Sequence, residues 1–99
     1  MTTTQLRRYV VKPELFDEFV EWFTTRLTPV REAAGFTVAF AAANRERSEF
    51  VWAVSVDGDR DRFDAIDAAY AASPERAAAF EGVPQFANDM QLDFVERLK

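Results

Sequence analysis

Apolar and polar positions change period several times along this chain, and each change marks an element. Gln5 to Val11 (QLRRYVV) is rich in β-branched and aromatic residues and reads as a first strand. Pro13 suits the first turn of a helix, where its missing N–H is not needed. From Glu14 to about Ala34 the period is helical: Leu15, Phe16, Phe19, Trp22, Phe23, Leu27 and Val30 recur at three and four. Glu14, Asp17, Glu18, Glu21 and Thr25 hold the opposite face. Pro29 either kinks this helix or restarts it with Thr28 as cap. Gly35 is a natural stop.

Phe36–Ala43 and Glu49–Val56 form a hairpin across NRERS, Asn44 to Ser48. With Ala43 opposite Glu49, Phe40 faces Trp52 and Val38 faces Val54. That register gathers the large residues Phe36, Val38, Phe40, Phe50, Trp52, Val54 and Val56 on one face. Mostly smaller residues share the other. Arg60 to Ala72 is a second helix, with Phe63, Ile66 and Tyr70 on one side. Ser73-Pro74 caps and opens a short third helix, which Gly82 and Pro84 close. Gln85 to Met90 is irregular or a helical turn. Gln91 to Leu98 is a last strand in which Leu92, Phe94 and Leu98 share a face; Glu96 falls among them and Val95 among the polar residues.

The order is β-α-β-β-α-β within a single domain spanning residues 1–99. The simplest topology for it is an α+β, ferredoxin-like fold with a four-stranded antiparallel sheet. Four strands at ~4.8 Å spacing make a sheet about 19 Å wide, and two helices of ~10 Å diameter cover one face of it. EFVWAVSV, Glu49 to Val56, is apolar on both faces. The uncovered face is best closed by the same face of a second copy, so a homodimer is expected.

Composition narrows the chemistry. The formal net charge of -5 disfavours nucleic acid or an anionic membrane as a partner. The chain has no cysteine and no histidine, which removes thiolate and imidazole metal ligands, thiol nucleophiles and the commonest general base. No metal and no cofactor is expected. No apolar run approaches the ~20 residues of a membrane span, and the N-terminus lacks signal-peptide order, so the cytoplasm is the default.

Arg26 is the most informative polar residue. On a regular helix it projects into the apolar arc between Trp22 and Phe19, so it is paired, snorkels to solvent or meets an anionic ligand group. Tyr9, Trp22, Trp52 and Tyr70 are the other candidates for a ligand pocket, although aromatics at these spacings usually build core. Arg7 and Arg8 point to opposite faces of one strand, and one of them is an edge or interface charge. Glu96 pairs with such an arginine or reaches solvent. Asp57, Asp59, Asp61 and Asp64 surround a turn and a helix start, an ordinary capping pattern.

The pattern resembles the NIPSNAP-type proteins of the dimeric α+β barrel superfamily. The resemblance is carried by Leu6-Arg7-Arg8-Tyr9, Pro13, Phe16 and Phe19, Pro29-Val30-Arg31-Glu32 with Gly35, Phe50-Val51-Trp52 and Ala72-Ser73-Pro74-Glu75. Pro13-Glu14 stands where the family often has Pro-Gly. The resemblance implies a homodimeric barrel of two sheets, with a pocket between helices and sheet in each subunit. It implies no agreed chemistry, and no catalytic residue carries over. The first functional reading is a dimeric barrel that binds a small apolar or aromatic ligand. The alternative is a cofactor-independent enzyme of monooxygenase or isomerase type, with Arg, Tyr, Asp or Glu as its proton carrier. An RNA-binding module shares the element order but needs a basic, open sheet, and EFVWAVSV lacks the Lys/Arg-Gly start of that motif.

Overall fold

The computed structural model describes all residues, Met1–Lys99. Alternation builds its central strand, β1 (Thr2–Val11), which begins three residues ahead of the expected start because β-branched Thr2, Thr3 and Thr4 extend it. Strands β2 (Thr37–Asn44), β3 (Glu49–Asp57) and β4 (Ala87–Val95) complete an antiparallel sheet in the order β2-β3-β1-β4. That is the strand order of the ferredoxin-like fold expected from the sequence.

Pairing puts Arg7 beside Trp52 and Leu92, and Tyr9 beside Phe50 and Met90. This side meets the helices. Its β3 residues Phe50, Trp52, Val54 and Val56 are buried, so the face with the large side chains is the covered one. One member departs from expectation. Val38 does face Val54, but Ala41, not Phe40, faces Trp52. Ala39 is an extra residue that bulges between them and flips Phe40 to the outer face, where it is 47% exposed.

Strand β4 also differs from expectation, starting four residues earlier and ending three earlier. From Asp89 to Phe94 the strand alternates, with Met90, Leu92 and Phe94 on the helix side and Asp89, Gln91 and Asp93 on the other; the register shifts between Ala87 and Asp89, and Val95 ends the strand on the outer side. Glu96 and Leu98 lie beyond the strand.

The helical layer begins with a 3-10 turn (Pro13–Leu15), then α1 (Phe16–Trp22), a π turn (Phe23–Leu27) and α2 (Thr28–Ala33) as one continuous rod. Pro29 neither restarts the helix nor makes Thr28 a cap: Thr28 has helical φ and ψ, and its N–H donates to the Phe23 carbonyl in an i→i+5 bond. Helices α3 (Arg60–Ala71) and α4 (Pro74–Phe80) follow, capped as expected by Asp59 and Ser73, which accept from the N–H groups of Arg62 at 2.9 Å and Arg76 at 3.2 Å. No helix is long and apolar enough to cross a membrane.

Aromatic rings fill the space between the layers. Phe19 packs edge-on against Tyr9, Phe50 and Phe86 at centroid distances of 6.0, 4.9 and 5.3 Å. Phe36 packs on Phe63 and Tyr70 under α3 at 5.5 and 5.8 Å. Such pairs contribute about 0.5–1.5 kcal/mol each beyond simple burial. The molecule is only 19 Å thick along its shortest axis, which is one sheet plus one helix layer. Its surface of 6284 Å² exceeds the roughly 5,700 Å² usual for a monomer of this mass.

Gly58 joins β3 to α3 at φ 138°, and a Cβ there would clash with the Arg62 side chain. Gly58→Ala is expected to lower stability by about 1–3 kcal/mol in urea unfolding, mostly as backbone strain that moving Arg62 does not relieve. Gly82→Ala, at φ 71° with nothing within 4 Å, is expected to cost less.

Candidate ligand-binding cleft

A cleft of about 490 Å³ lies between the helical layer and the β1–β4 side of the sheet. Its apolar wall comes from Phe19, Trp22 and Leu27 of the long helix, Phe80 of α4, and Phe86 with Met90 at the start of β4. The size and lining are those of a small-molecule site. Trp22 fixes one side: its indole N–H donates to the Ala79 carbonyl at 2.9 Å and ties the long helix to α4.

The polar part of the wall is one-sided. Arg7, Arg31 and Arg76 all line the cleft, together with Tyr9 and Gln85, and no carboxylate does. This occurs in a chain of formal net charge -5. Strand alternation puts Gln5, Arg7 and Tyr9 on one face. There Arg7 donates from Nε to the Tyr9 hydroxyl at 2.9 Å and from Nη1 to Gln5 Oε1 at 3.0 Å, which holds its guanidinium in place. Arg7 and Arg76 take part in no ion pair, and Arg31 has one, to Asp67 at 3.7 Å.

Arg31 is the buried cation, with a side chain 7% exposed, while Asp67 is 47% exposed. Its guanidinium carbon lies 4.3 Å from the centre of the Tyr70 ring, 4.9 Å from Phe36 and 5.3 Å from Trp52. Arg7 stands over the same Trp52 ring, also at 5.3 Å. Stacking of this kind contributes about 0.5–2 kcal/mol per contact, yet it satisfies no N–H. The four buried side-chain polar atoms without a hydrogen-bond partner are Arg31 Nε and Nη1, Trp52 Nε1 and Tyr70 Oη, all within this stack. Burial pushes the Arg31 guanidinium below its ordinary pKa; the Arg7 charge acts in the same direction, and Tyr70, Tyr9 and Asp67 act against it.

The sequence-based candidates divide. Tyr9 and Trp22 line the cleft. Trp52 and Tyr70 do not; they are buried behind it as the platform for Arg31. Arg26 is exposed and outside the cleft. The reason is the π turn. It holds more residues than an α turn, so side chains from Arg26 onward are set back by up to ~100°. Arg26 is carried off the apolar arc, and Arg31, which a regular helix places beside the arc, is carried into it. Arg7 and Arg8 point to opposite faces of β1 as expected; the strand is central, Arg7 faces inward onto the cleft and Arg8 takes the outer face. The signals in the sequence that point to Arg31 and Arg7 as cleft-lining cations are Pro29 within a helical period and Arg7 in phase with Tyr9 and Val11. At the exposed hairpin tip, Arg45 bonds Asp17 on α1.

No family model matches the chain, and no curated protein matches it in sequence. Solved structures do match its shape. A NIPSNAP domain protein from Burkholderia xenovorans superposes with a TM-score of 0.83 over 98% of this chain and 94% of its own, at 14% identity. A NIPSNAP family protein from Agrobacterium tumefaciens gives 0.85 over 97% and 92%, at 7% identity. The chain has the NIPSNAP fold. A protein from Nitrosomonas europaea provisionally named an antibiotic biosynthesis monooxygenase also superposes, with a TM-score of 0.70 over 98% and 90% at 13% identity. A fold shared by such proteins fixes no reaction.

If Arg31 serves the cleft and not the core, Arg31→Met should fold at least as stably as the parent. The change replaces an incompletely paired buried charge with an apolar chain, which is commonly neutral or stabilising by about 1–4 kcal/mol. Urea midpoints check this; a loss above about 2 kcal/mol would make Arg31 structural. Asp67→Asn should cost less than about 1 kcal/mol, because Asp67 is half exposed.

Proposed function

We propose that this protein is a homodimer that binds a small, largely apolar or aromatic molecule in the cleft of each subunit. The observation that carries the binding reading is the cleft itself: about 490 Å³ walled by Phe19, Trp22, Phe80, Phe86 and Met90. A filled interior would have left no room for a ligand between sheet and helices. Calorimetric titration with neutral 2-naphthol tests it, with saturable binding expected and Trp22→Arg expected to abolish it. Failure to bind any small aromatic probe at millimolar concentration would sink this reading.

Self-association is supported by the outer face of the sheet. Leu6, Val10, Phe40 and Val51 lie there around small, buried Ala53, Ser55 and Thr4, with Arg8 flanked by Asp89 and Asp93. A two-layer molecule with excess surface has no third layer to cover them. Light scattering on the eluting protein is expected to give about twice the 11.3 kDa chain mass. Phe40→Lys, at a position already half exposed, is expected to shift the mass toward one chain without unfolding it. A monomer at every concentration would remove the dimer.

A second reading is a cofactor-independent enzyme of monooxygenase or isomerase type. It is favoured by one contact, the Tyr9 hydroxyl at 2.9 Å from Arg7 Nε inside the cleft, because a guanidinium there supports a phenol that moves a proton. The structural likeness to the Nitrosomonas europaea protein is consistent with it.

A further inference from the structure

Three guanidiniums around one apolar cleft, with no carboxylate among them, ask for an anion. Arg31 carries the point. It is buried, its only acid is half exposed at 3.7 Å, and its Nε and Nη1 have no acceptor. A buried cation so weakly paired is costly, and the fold does not avoid the cost by turning Arg31 outward. Arg7 adds a second fixed charge beside it, despite the repulsion between them. Its side chain is held there by Tyr9 and Gln5, neither of which neutralises it. Two like charges held together on rigid elements are the arrangement of a preorganised anion site, not of a core.

We propose that the ligand of this cleft is an organic carboxylate, its head held between Arg31 and Arg7 and its apolar body lying along Phe19, Trp22, Phe86 and Met90. The inference rests on the cleft reading above and specifies the ligand's chemistry. Guanidinium donors match the planar, two-oxygen carboxylate, and the aromatic wall gives nothing to a second polar end. Arg76, stacked on Phe80 at 4.2 Å, stands on the same cleft and adds to the positive field. The acidic remainder of the protein makes this field local, so recognition is by the site and not by bulk charge.

The test compares 2-naphthoate with its neutral isostere 2-naphthamide, both titrated into the parent protein by calorimetry at moderate salt. The carboxylate is expected to bind at least about tenfold more tightly, as charge-assisted hydrogen bonds allow. Arg31→Met and Arg7→Met are each expected to remove most of that preference while leaving naphthamide binding in place. Arg31→Lys is expected to keep part of it, and Arg8→Met, on the outer face, to keep all of it. Far-UV circular dichroism and urea midpoints establish that each variant is folded. Equal binding of the two ligands by the parent would overturn the carboxylate assignment and leave the apolar cleft standing. Binding of neither would overturn both. A preference that survives both Arg31→Met and Arg7→Met would place the anion elsewhere and overturn the proposal.

Discussion

The missing N–H of Pro29 is the constraint on which the cleft depends. A proline inside a helix cannot donate to the carbonyl four residues back. Here the chain does not break. It widens into the π turn Phe23–Leu27 and continues as α2. The helix thereby stays long enough to cover the sheet, but its phase changes midway. Upstream, Phe16, Phe19 and Trp22 face the sheet as a regular amphipathic helix requires; downstream, Leu27 and Arg31 do. One absent hydrogen bond thus brings a guanidinium onto the Trp52 and Tyr70 rings.

Around that point the fold separates two tasks. The side of the sheet under α3 is tightly filled: Phe63, Val54 and Val56 are at most 2% exposed. The side under α1 and α4 is framed by rings that meet edge to face or tilted, and the cleft opens among them. Trp22 contributes to both tasks, since its ring forms wall and its N–H clamps α4 to the long helix. The cleft is therefore bounded by parts that stabilise one another, which suits a site that must hold its shape before a ligand arrives.

Much of this was legible in the residues. The element order and the helix caps at Asp59 and Ser73 follow from period and turn chemistry alone; the residues of β3 sort by size onto two faces, but which face meets the helices is legible only in the structure. The errors have separate causes: a bulge in β2, a π turn in the long helix and misplaced bounds at β4. In Ala39–Ala43, after Val38, four of five residues are alanines, so sliding the strand by one position changes no side-chain size except that of Phe40, and the bulge leaves little trace in sequence. In the long helix a regular pitch was assumed through Arg26, but the π turn at Phe23–Leu27 carries Arg26 off the apolar arc and Arg31 into it. At β4 the residues Glu96–Leu98 were read as strand, and the strand's start at Ala87, ahead of a bulge, was read as irregular. Tyr9 and Trp22 survived because large rings next to other large rings leave few alternatives.

The bulge at Ala39 bears on the safety of the molecule in a crowded solution. Strand β2 is an open edge made almost wholly of small apolar residues, the kind of edge that accepts a further strand from a neighbouring chain. An extra residue there breaks the even spacing of its free N–H and C=O groups and increases the local twist. A neighbour cannot then pair along the whole length of β2. Open-ended fibre growth from that edge is discouraged, while a closed, face-to-face association remains open to it.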